Sequence, residues 1–215
     1  IFRVGIPAAI QMAITGFSNI FVQSYINFFG DNCMSGWTTY AKVDQLLFLP
    51  MQSISLASTT FVGQNLGAHR HDRVRKGVGF GIACSTIMAE LIGITCYVFS
   101  PQLIGFFNDS PQVLDFGTRH MRTICLFYCL LALSHGIAAI MRGAGKAAVP
   151  MYTMLICWCL IRVSYITVAV KFVNELTTVS WAYPITWTCS TIVFGIYFLK
   201  ADWMHAFEKL DAKKA

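Results

Sequence analysis

The 215-residue chain is 56% hydrophobic and only 12% charged, with a mean hydropathy of +0.59. That is more apolar side chain than one soluble core of this size can hide. The formal net charge is +6, but the basic residues gather at the ends of apolar runs and are not interleaved with aromatics on one surface, which excludes nucleic-acid binding and leaves an all-α integral membrane protein.

The sequence opens with Ile1-Phe2-Arg3, has no initiator Met and shows no cleavable-signal pattern, so it reads as cut from something longer. Six transmembrane helices are expected at about residues 6–29, 36–65, 77–100, 120–141, 148–171 and 178–199, each with roughly the 17–25 apolar residues that a crossing requires. Residues 1–200 form one six-helix membrane lobe, and 201–215 form a tail, expected as an interfacial helix with Trp203, Met204 and Phe207 on one face.

The stretch from Trp37 to Lys76 organises the rest. It is apolar but for Lys42, Asp44, Pro50 and Gln52, and it ends in Gly63-Gln-Asn-Leu-Gly-Ala68 before Arg70, Arg73, Arg75 and Lys76. Thirty residues at 1.5 Å each reach roughly 45 Å, beyond the hydrocarbon thickness of about 30 Å. This helix is therefore expected to tilt or bend at Pro50 and to leave into a basic loop at 69–76. The outer connection 100–117, with two prolines and Asn108-Asp-Ser110, suits turns between short interfacial helices. Arg3, the 69–76 segment, Arg142, Lys146 and the tail put eleven of the sixteen Lys and Arg on one side, which makes both ends of this segment cytosolic.

Ionisable residues inside spans are costly and mark function by default. Glu90 and Arg162 each lie about 20 Å from the cytosolic face by helical rise, so they are expected to pair; the pair is either a structural bridge or, through Glu90, a proton or sodium relay. Asp44 is a candidate for substrate or ion binding. Lys42, two residues away and so on another face, either neutralises an acid elsewhere or snorkels. Gln11, Thr15, Asn19, Gln23 and Asn27 recur every four residues as a polar stripe suited to a cavity or to a neighbouring helix. His135 is a titrating group or a packing histidine. The eight cysteines lack metal-ligand spacing and read as small apolar packing, and no catalytic constellation points to an enzyme.

Phe61-Val-Gly63-Gln64-Asn65-Leu-Gly67-Ala68 with Asp72-Arg73, Gly5-Ile-Pro7, Tyr40-Ala-Lys-Val-Asp44, Arg142-Gly143-Ala-Gly-Lys146 with Pro150, and Ile161-Arg162 together resemble the MATE family of multidrug and toxic compound extrusion transporters, in their carboxyl-terminal half. The resemblance implies two six-helix lobes around a cavity that opens alternately to each side. It also implies export of amphipathic compounds and organic cations from the plasma membrane in exchange for protons or sodium, without a cofactor. The missing amino-terminal lobe and membrane lipid are the implied partners. Some members carry an acid in the first helix of this half, where Gln11 and Thr15 stand here, so coupling falls to Asp44, to Glu90 or to an acid in the other half. A lipid-linked saccharide flippase of the same superfamily is the alternative; Lys42 and Arg162 would suit its pyrophosphate.

Overall fold

The computed structural model describes residues 2–205, with side chains from residue 5 onward. Among the described residues there are six apolar helices long enough to cross a membrane and no strand, so the chain is a multi-pass membrane protein. They are α1 (Phe2–Asn27), α2 (Asp31–Gly67), α3 (His71–Gly105), α4 (Pro111–Gly143), α5 (Ala148–Phe172) and α6 (Leu176–Lys200).

Two of these helices change pitch inside the span. In α4 a 3-10 turn at Cys125–Phe127 separates α-helical Pro111–Ile124 from Tyr128–Gly143. In α5 a π-helical stretch, Leu155–Ile161, lies between Ala148–Met154 and Arg162–Phe172. Such stretches rearrange the carbonyl ladder, and Ser18 Oγ of α1 donates to the Trp158 carbonyl within the π segment. The bend expected at Pro50 is absent as a break, since α2 runs helically through that residue. The interruption falls instead in α3, where Phe99 has φ −96° and ψ 15° just before Pro101, whose ring restricts the backbone ahead of it. The 100–117 connection thus holds a short helical stretch beyond the kink, ending at Gly105, then a turn and the start of α4 at Pro111, as the two prolines and Asn108-Asp-Ser110 suggest.

Helices α2, α3 and α4 pack on one another, α1 and α6 both pack against α5, and α4 meets α6 to join the two groups. Backbones come very close at Gly36, where a Cβ would lie 2.8 Å from the Val113 carbonyl oxygen, and closer still at two further glycines. A Cβ on Gly93 would lie 2.2 Å from the Cys125 carbonyl oxygen, and one on Gly143 would lie 2.5 Å from that of Thr59, so only glycine allows α3 and α2 to approach α4 there. Thr59 Oγ1 donates to the Ala139 carbonyl across the α2–α4 contact at 3.1 Å.

The basic end of the bundle differs from the loop expected there. Helix α3 begins at His71, so Arg73, Arg75 and Lys76 lie on its first turns, and the connection from α2 is a tight turn. In the tail, residues 201–205 form a bend and turn. Trp203 is buried and stacks on Phe198 at 5.2 Å, with its indole N–H donating to the Phe198 carbonyl. Residues 201–205 are seated on the core, because the indole finds an apolar wall and an acceptor at the end of α6. The interfacial helix expected over 201–215 falls mostly outside the described residues, Phe207 included.

Candidate functional site

Asp44 sits on α2, half-buried and turned toward α4. Its carboxylate accepts a hydrogen bond of 2.5 Å from the Tyr128 hydroxyl, and that hydroxyl lies 3.2 Å from the hydroxyl of Tyr40, one turn before Asp44. The helical period brings Tyr40 and Asp44 onto one face of α2, while the end of the 3-10 turn in α4 delivers Tyr128 opposite them. Both tyrosines are buried. The Tyr40 ring stands edge-on to His120 at 4.5 Å, and His120 Nδ1 lies 2.7 Å from Ser180 Oγ. Trp37 and Tyr183 complete the aromatic wall around His120. A phenol donates to a carboxylate and also accepts from a carboxylic acid, so this arrangement holds Asp44 in either protonation state.

Arg162 does not pair with Glu90. Its guanidinium is fully buried and donates to Asn19 Oδ1 at 3.4 Å and to Thr186 Oγ1 at 3.1 Å. It lies over the rings of Tyr183 at 4.4 Å and Trp158 at 5.0 Å. Glu90 is on α3, which packs against α2 and α4, whereas Arg162 is on α5, which packs against α1 and α6. Equal depth therefore does not bring them together. Glu90 Oε2 is buried without a hydrogen-bond partner, beside Cys129 of α4.

Lys42 is exposed, away from Asp44, as its place on the helix predicts. The polar stripe of α1 divides its work. Gln11 lines a cavity, Thr15 Oγ1 bonds to the Gln11 carbonyl, Asn19 receives Arg162, and Gln23 donates to Asn27. The cavity, about 630 Å³, is lined by residues of α1, α2 and α4. Gln11 of α1, Gln52 and Thr59 of α2, and His135 and Arg142 of α4 form its polar lining, beside Leu49 and Leu56.

The motif residues have local structural reasons. At the end of α2, Arg70 N–H bonds to the Asn65 carbonyl and His69 N–H to that of Leu66, with His69 in the left-handed region at φ 55°. At the end of α4, Lys146 N–H bonds to Met141 and Gly145 N–H to Arg142, with Gly145 at φ 74°. Both are Schellman turns, which satisfy the last carbonyls of a helix. Gly63 packs toward the Gly143 carbonyl, and Asn65 bonds back to Phe61. Gln64 and Gly67 belong to the last turns of α2 and Arg73 to the first turn of α3. Of the groups that surround Asp44, Tyr128, His120 and Tyr183 are not among the candidates read from sequence. Their one sequence signal is a polar ring or hydroxyl in an apolar span, a pattern shared with ordinary packing residues.

The model of the MatE family matches residues 7–168. The chain is 29% identical over 150 residues to the probable multidrug resistance protein YoeA of Bacillus subtilis, covering 70% of this chain and 32% of that protein. It is 26% identical over 208 residues to the probable multidrug resistance protein NorM of Thermotoga maritima, covering 94% and 44%. The chain thus spans less than half the length of these curated relatives. Among solved structures, a MOP superfamily transporter from Pyrococcus furiosus superposes with a TM-score of 0.86 at 13% identity, over 94% of this chain and 44% of that one. The eukaryotic MATE transporter AtDTX14 gives 0.85 at 17%, over 97% and 47%. At such identities these likenesses concern the fold alone.

Proposed function

This chain belongs to the MatE family, and from that premise we propose that it forms the carboxyl-terminal six-helix lobe of a multidrug efflux transporter working by secondary antiport. The amino-terminal lobe of the same transporter faces it across the substrate path, both ends of this segment lie in the cytosol, and the two lobes alternate access between the sides of the plasma membrane. The excess of Lys and Arg at one end of the bundle supports that orientation. The substrates are amphipathic organic compounds, organic cations such as ethidium among them. Exporting a monovalent cation against an inside-negative potential costs about 2.3 kcal/mol per 100 mV, so a coupled ion gradient is required.

The observation that carries the coupling proposal is the hydrogen bond from the Tyr128 hydroxyl to the half-buried Asp44 carboxylate. An intramembrane acid is a functional candidate by its cost alone. Here it is held by hydroxyls that can reverse their donor and acceptor roles, which suits uptake and release of a proton. Substrate binding on one side and protonation on the other would then bias the same two-state movement of the lobes. The flippase alternative gains nothing from Arg162, which is enclosed between aromatic rings.

The test is ethidium efflux by the complete transporter in cells, with the proton and sodium gradients collapsed separately. Efflux is expected to stop with the proton gradient, and Asp44→Asn is expected to abolish it at normal expression. Dependence on sodium alone would reassign the coupling ion. Efflux indifferent to both gradients would overturn antiport, and undiminished efflux by the Asn variant would remove Asp44 from the mechanism.

A further inference from the structure

The cavity between α1, α2 and α4 has a polarity that organic cations alone do not explain. Its one formally charged lining residue is Arg142, and no carboxylate lines it. Among the described residues the Arg142 guanidinium has no hydrogen bond and no ion pair, although the residue is partly buried. Arginine in the last turn of a helix often serves the helix end by meeting its free carbonyls. That role is filled here by backbone: the Schellman turn already gives the Met141 and Arg142 carbonyls their donors from Lys146 and Gly145, and Ala144 N–H bonds to Ile140. The guanidinium, with its five donors, is left directed to the cavity side of α4.

His135 stands two turns before Arg142 on the same helix and lines the same space. Its ring is held edge-on between Phe48 at 5.2 Å and Trp158 at 5.5 Å, and its ring nitrogens have no hydrogen bond among the described residues. Gln11 and Gln52 contribute amides from the facing helices, and Leu49 and Leu56 contribute an apolar wall. An unneutralised guanidinium, an imidazole and two amide groups around about 630 Å³ match an acceptor-rich anionic group on an apolar body.

We propose that this cavity is an anion subsite, which holds the carboxylate, sulfonate or phosphate of an amphipathic compound against Arg142 while its apolar part lies along Leu49 and Leu56. This rests on the efflux reading and adds anionic and zwitterionic amphiphiles to its substrates. The anionic group comes either from a soluble compound or from the headgroup of an anionic lipid, and the chemistry recognised is the same.

The experiment uses the complete transporter and a matched pair of dyes, rhodamine 123, a cationic methyl ester, and rhodamine 110, its free acid. Binding to purified protein is followed by fluorescence anisotropy without any ion gradient, so it reads the subsite even where transport fails. Rhodamine 110 is expected to bind, and Arg142→Gln to lower the ratio of rhodamine 110 to rhodamine 123 affinity by about tenfold or more, the loss of a charge-assisted hydrogen bond. Arg142→Lys should recover part of that ratio, and Gln52→Ala, which keeps the motif intact, should lower it by a few-fold. Repeating the measurement in nanodiscs separates the two sources: competition by phosphatidylglycerol but not by phosphatidylcholine identifies a lipid headgroup as the occupant, and no competition by either identifies a soluble one. An unchanged ratio in Arg142→Gln, or equal loss of both dyes, would overturn the subsite. Rhodamine 110 binding without efflux of either dye would overturn the transport reading and leave the subsite standing.

Discussion

Asp44 and Arg162 are both charges inside the bundle, and neither is neutralised by an opposite charge among the described residues. They are stabilised in opposite styles. Arg162 is sealed, with no exposed surface, two rings against its guanidinium and two neutral oxygens to receive its protons. Guanidinium is weakly hydrated and planar, so aromatic faces replace water at tolerable cost. Asp44 is only half-buried, and its partner is a hydroxyl that has a second hydroxyl behind it. A charge locked by rings has one state, whereas a carboxyl on a chain of rotatable O–H groups has two. Depth and partner type, more than charge itself, separate these two residues.

That contrast can be broken experimentally. Arg162→Ala should produce the larger loss of stability, about 3–5 kcal/mol as for deletion of a large core side chain. It would appear as a lower melting temperature in detergent, with Arg162→Lys recovering less than half, because an ammonium cannot stack between two rings. A melting temperature close to wild type for the Ala variant would dissolve the distinction. Tyr128→Phe removes only the hydroxyl that meets Asp44, and should cost about 1–3 kcal/mol while shifting the pH dependence of efflux. A variant with an unshifted profile would show that Tyr128 merely packs. The smallest effect is expected from the double-mutant cycle of Glu90→Gln with Arg162→Lys, whose coupling energy should stay within about 0.5 kcal/mol. A coupling of several times that size would mean that the two residues do meet, against the helix neighbours found here.

The comparison also explains what the sequence makes legible. Six apolar helices can be read because hydrocarbon length and backbone satisfaction leave few alternatives. Depth can be read too, since rise per residue is fixed, and it is the whole basis for expecting Glu90 beside Arg162. Azimuth and neighbour order are set by packing, and there the expectation fails: α3 and α5 belong to different groups of helices. Lys42 and Asp44 are separable in sequence because two residues turn about 200° around a helix. The partners of Asp44 are not, because Tyr128 reaches it only after the 3-10 turn at Cys125–Phe127, and no local motif announces that turn. The two Schellman turns are half legible. Gly145 suits a left-handed residue, but His69 adopts the same conformation without a glycine to signal it.

The π-helical stretch of α5 has a consequence for length variation. A wider turn stores extra chain within the same rise, so Leu155–Ile161 acts as slack in the angular phase of the helix. Deleting one residue there would let the span close as ordinary α-helix with the residues beyond it in nearly the same phase, because the wide turn already absorbs one residue's worth of rotation. Arg162 would keep its face and its rings. In an ordinary α-helix the same deletion would rotate everything beyond it by about 100°; here the slack takes it up.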